Sequence, residues 1–109
     1  MNPEKYLPLR PVEFQVLVSL YRRDRHGYAI LQEVEDRGDA GAVPGLATLY
    51  RAILRLENDA LIERVENGSS DTADERRRVY RLTPLGRAVV DAEARRLAPM
   101  VDLVKGVTP

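Results

Sequence analysis

The residues best placed to do chemistry are Thr48, Arg51 and Arg55, which recur at helical spacing between Leu46 and Asn58. At about 100° per residue, Leu46, Leu49, Tyr50, Ile53, Leu54 and Leu56 fall on one arc, and Ala47, Thr48, Arg51, Ala52 and Arg55 fall on the opposite one. A hydroxyl and two guanidinium forks beside a small residue suit hydrogen bonding to phosphate oxygens and base edges. Ala47 permits close approach. An ordinary amphipathic surface helix also carries arginines, so the arc alone leaves two readings open. A second basic group, Arg76, Arg77 and Arg78, sits beside a polar stretch and could reach a phosphate or a minor groove. Asp71, Asp74 and Glu75 precede it and offset part of its charge, as in any solvated loop. Strand alternation puts Arg77 with Val79 on one face and Arg78 with Tyr80 on the other, so the three cannot all point the same way.

Other chemistries lack their residues. There is no cysteine, which excludes disulfides, thiolate zinc sites and thiol catalysis. The single histidine, His26, has no carboxylate pair or serine partner near it in sequence and reads as a residue at a helix start. Glu33, Glu35 and Asp36 read as the solvated face of a helix. No phosphate-binding glycine loop or metal motif appears, so neither an enzyme nor a bound cofactor or metal is expected. No apolar run approaches the roughly 20 residues of a membrane span, and no signal-peptide block opens the chain. A reducing cytoplasm fits this composition.

The elements that would carry these residues follow from pattern and punctuation. With 109 residues the chain has room for one modest core. Val12, Phe14, Val16, Leu17, Val18, Leu20 and Tyr21 predict a largely buried helix from Pro11 to Arg22. Tyr28, Ile30, Leu31 and Val34 predict a second, stopped at Gly38, and the glycine-rich stretch 38–45 a loop. The Leu46–Asn58 helix comes next. The runs 61–66 and 78–82 are β-branched or aromatic and partly alternating, and predict a hairpin with a charged tip. Thr83 and Pro84 mark a helix start as N-cap and first residue, with Gly86 where a capping-box glutamate would stand. Beyond it Val90, Ala94, Leu97, Val101 and Val104 are spaced 4, 3, 4, 3, the rhythm of a helix–helix seam. Pro99 predicts a kink or short break near 97–99.

Helix, helix, helix, hairpin, helix is the order of a winged helix-turn-helix: mainly α, with a small β-hairpin wing and a C-terminal dimerisation helix. Residues 1–83 form the arm and DNA-binding unit, and residues 84–109 the dimerisation helix. The blocks 8–17, His26-Gly27-Tyr28-Ala29-Ile30, Thr48-Leu49-Tyr50-Arg51-Ala52-Ile53, Leu61-Ile62-Glu63 and 78–86 together resemble the PadR family of bacterial transcription regulators. The resemblance implies a dimeric repressor of double-stranded DNA, often released by a small-molecule effector. It makes the helix bearing Thr48, Tyr50, Arg51 and Arg55 the recognition helix and the hairpin around Arg76–Arg78 the wing. Tyr50 has a ring suited to the core and a hydroxyl able to reach a phosphate. The family usually has glycine where Ala60 stands, which implies a different helix cap here. The short C-terminus implies a compact member, and the absence of tryptophan argues against an aromatic effector pocket.

The formal net charge is zero. That motivates an alternative, a winged-helix protein-interaction module that does not bind DNA. Local placement of charge, rather than its sum, decides between the two.

Overall fold

In the computed structural model, residues 2–37, 45–65 and 78–106 are described. A 3-10 turn at Pro3–Tyr6 leads into α1 (Pro11–Ser19), β1 (Arg25–His26), α2 (Gly27–Arg37), α3 (Leu46–Asn58), β2 (Ile62–Val65), β3 (Val79–Leu82) and α4 (Pro84–Lys105). The three strands form an antiparallel sheet in the order β1-β3-β2, with Arg64 and Arg25 both opposite Tyr80. This is the mainly helical winged-helix architecture. The hairpin falls where the alternating runs placed it. β1 is an addition, since two residues carry no readable alternation. His26 therefore lies on a strand edge, exposed, rather than on a helix.

One core collects Val16 and Leu17 from α1 and Leu20 just past its end, Ile30 and Val34 from α2, and Leu49, Ile53 and Leu56 from α3. Leu61 and, from the sheet, Ile62 and Tyr80 close it, with Val89 and Val90 from α4. α1 ends at Ser19, three residues before the predicted Arg22. Arg25 Nε satisfies the terminal Ser19 O at 2.6 Å, and Arg37 Nη2 adds a bond to Gln15 O at 2.8 Å, which also accepts the Ser19 hydroxyl. Tyr21, past the helix end, donates its hydroxyl to Asp91 of α4 at 2.5 Å, while Arg87 stacks over its ring at 4.5 Å.

The exit from α3 is a Schellman motif. Leu61 N–H donates to Leu56 O at 2.9 Å and Ala60 N–H to Glu57 O at 3.0 Å, with Leu56 and Leu61 both buried beneath. The expected change of cap does not occur. Ala60 holds the left-handed conformation itself, at φ 60°, where a Cβ costs about 1–2 kcal/mol. The same segment anchors the next helix. Thr83 Oγ1 donates to Ala60 O at 2.6 Å and accepts from Gly86 N–H at 3.0 Å, as an N-cap should. A side chain at Gly86 would run into the Leu61 carbonyl, which explains why no capping-box glutamate stands there.

α4 runs through Pro99 without the expected break. Its first half belongs to the body of the chain: Val90 is 5% exposed and sits in the core, so it opens no seam toward a partner. Glu93, 1% exposed, accepts Leu9 N–H at 2.8 Å and Arg96 Nε at 2.6 Å, which ties the N-terminal arm to the helix. Arg96 beside it, then the Leu9 N–H, hold the Glu93 carboxyl below the usual range against the opposing effect of burial.

Candidate nucleic-acid interface

α3 has the predicted bounds but a different rotation. Its buried side is Leu49, Ala52, Ile53 and Leu56. Ala52, expected on the solvent arc, is fully buried, and Leu54, expected on the apolar arc, is 44% exposed. The physical reason is packing: a methyl lets α3 lie close to its neighbours in the body, and the helix turns to use it. Leu46 is also exposed, and Tyr50 is half-buried against the core.

The outward face therefore carries Ala47, Thr48, Arg51 and Leu54. Arg51 lies along the helix toward Thr48, with an Nη2–Oγ1 distance of 3.5 Å, and has no carboxylate partner among the described residues. Arg55 differs. Its Nε donates to Glu13 Oε2 of α1 at 2.8 Å, and its side chain is 38% exposed. Glu13 was not singled out from the sequence; as a first-turn acid it reads simply as helix support.

Ion pairs offset several of the other arginines where they stand. Arg25 and Arg37 pair with Glu33, Arg64 with Glu57, Arg81 with Glu63 and Arg96 with Glu93. Each carboxylate offsets one guanidinium locally, and Arg25 and Arg37 share theirs. On the wing, Arg78 is half-buried beside Tyr80, whose hydroxyl burial pushes up in pKa. Arg76 and Arg77 lie outside the described residues. Tyr28, expected only as part of an apolar pattern, stands 57% exposed in the first turn of α2.

Of the seam residues, Ala94 is exposed and Leu97 half-buried, while Val101 and Val104 are exposed, Val104 at 89%. Met100 and Leu103 are exposed beside them. Among the described residues no group of acidic or histidine side chains could hold a metal, and no helix is long and apolar enough to cross a membrane.

Three helices packed around a core, an outward face on the third and a strand hairpin beside it define a winged helix-turn-helix. The transcriptional regulator PadR-like family model matches residues 16–92, and the chain belongs to that family. It is a DNA-binding transcription regulator rather than an enzyme. A transcriptional regulator of Mycobacterium tuberculosis is 35% identical over 98 residues, covering 87% of this chain and 83% of that protein. A PadR family transcription regulator from Clostridium difficile has the same fold, with a TM-score of 0.73 at 22% identity, covering 89% of this chain and 97% of the other. RosR of H. salinarum aligns with a TM-score of 0.66 at 29% identity, covering 88% of this chain and 81% of that one.

Proposed function

We propose that the protein is a homodimeric repressor that reads its operator with the outward face of α3. Ala47 and Thr48 approach base edges or phosphates in the major groove, and Arg51 forks onto a guanine or phosphate. Tyr50 and Arg55 contribute from the flanks of that face, and Arg76, Arg77 and Arg78 of the wing reach the backbone or the minor groove. One observation supports this reading above the rest. Arg51 stands exposed on the third helix with no carboxylate partner among the described residues, in a chain that pairs its bracing arginines with acids.

Dimerisation falls to the second half of α4, where Ala94, Leu97, Val101 and Val104 continue the seam after Val90 has turned inward. The division of labour is residues 1–83 for DNA and 84–109 for assembly, with Val89 and Val90 shared by the core. Release by a small molecule and action in the cytoplasm complete the proposal.

Arg51→Ala is expected to abolish operator binding in a gel shift at fixed salt while leaving the thermal unfolding transition in place. Unchanged affinity would remove α3 from the interface. For wild type, log K should fall linearly with log salt on duplex DNA; a flat response would favour a partner other than DNA.

A further inference from the structure

Arg51 and Arg55 lie one turn apart on the same side of α3, yet the fold treats them differently. Arg51 is exposed, and its one side-chain hydrogen bond among the described residues is to Thr48. Arg55 is held from behind: Glu13 Oε2 takes its Nε at 2.8 Å. Glu13 is itself fixed. Its side chain is 13% exposed, and its second oxygen faces the Arg10 N–H at 3.4 Å, at the start of α1. There the unsatisfied N–H groups of the helix end favour a negative charge.

From this geometry we infer that Glu13 is a positioning residue for DNA binding, which presents Arg55 as a preformed phosphate clamp. The inference rests on the assignment of α3 to the DNA. A guanidinium has five N–H donors in a rigid fork. Glu13 uses the Nε edge, and the Nη nitrogens make no hydrogen bond among the described residues. Thr48, Arg51 and Arg55 follow i, i+3, i+7 spacing and so line one stripe. A phosphate meeting that stripe finds Arg55 already ordered. Freezing a long, rotamer-rich side chain is a recognised cost of association, and here the fold has met it beforehand. The carboxylate cancels part of the long-range attraction of Arg55, which suits a chain with no net charge. Affinity then comes from order at contact more than from steering at a distance.

This reading has an unusual sign. For a protein that binds a polyanion, deleting an acid beside the interface should strengthen binding. A clamp held by that acid should weaken instead. The test uses the full-length protein and a random-sequence duplex of about three helical turns, since phosphate contacts act on any sequence. Affinity is measured across a salt series for wild type, Glu13→Ala, Glu13→Gln, Arg55→Ala and the Glu13→Ala/Arg55→Ala double variant, all well below their melting temperatures. Glu13→Ala is expected to lose about three- to tenfold in affinity with the salt slope unchanged. Glu13→Gln, which keeps an acceptor for Nε, should recover part of that loss. Arg55→Ala should lower the slope by about one per engaged protomer, and adding Glu13→Ala to it should cost nothing further. Equal or tighter binding by Glu13→Ala, or an equal loss in the Arg55→Ala background, overturns the clamp while α3 keeps its role. If wild type shows no salt-dependent binding, the DNA assignment falls and the clamp with it.

Discussion

The two halves of α4 share one helix and one apolar rhythm but meet different surroundings. From Pro84 to Glu93 the apolar side faces the body of the chain, and Val89, Val90 and Ala92 are buried. From Ala94 onward the same rhythm leads outward, from half-buried Leu97 to Val101 at 46% and Val104 at 89% exposed. A 4-3 spacing thus specifies that an apolar stripe exists, not what covers it. The changeover comes next to Glu93, whose buried carboxylate ties the N-terminal arm to the helix.

Substitutions along α4 can break or sharpen that contrast. The largest effect is expected from Val90→Asp, which buries an unpaired charge: more than about 4 kcal/mol, enough to remove the cooperative transition seen by circular dichroism. Glu93→Ala should cost about 2–4 kcal/mol, because Leu9 N–H loses its acceptor and Arg96 its partner. Thermal unfolding against pH gives a second handle on the same residue. The folded-state pKa of Glu93 is lowered, so its contribution is complete above the unfolded value and disappears as pH falls through the folded one. Wild type should lose stability on that acid limb, and Glu93→Ala should show a shallower one. Leu97→Glu, on the other side of the changeover, should leave the protomer folded but run as a monomer in sedimentation. Its DNA affinity should fall about a hundredfold as the second half-site stops benefiting from effective concentration. A dimer that survives this change would place the interface elsewhere. The smallest effect lies at the base of the helix: Ala60→Gly should stabilise by about 1 kcal/mol and raise Tm by a few degrees.

The elements with local punctuation were legible in the sequence. α3 begins after Gly45 and ends at Asn58, as its periodicity indicates, and Thr83-Pro84 caps α4 as those residue types require. Features that depend on a distant partner were not. The rotation of α3 toward Ala52 is set by packing against the rest of the core, and nothing within 46–58 reports it. α1 ends at Ser19, where Arg25 reaches the terminal carbonyl from elsewhere in the chain. β1 is too short for alternation. In the candidate interface, the exposure of Arg51 could be read from its own helix, but the restraint on Arg55 could not, because Glu13 lies 42 positions away.

The junction of Ala60, Thr83 and Gly86 has a mechanical consequence. Thr83 Oγ1 grips the residue that ends α3, and Gly86 rests against the next carbonyl. The helix that would meet DNA and the helix that would meet a second subunit are pinned to each other there, as two arms of a bell-crank. A dimer built on α4 would therefore hold its two reading heads at a set separation along the double helix.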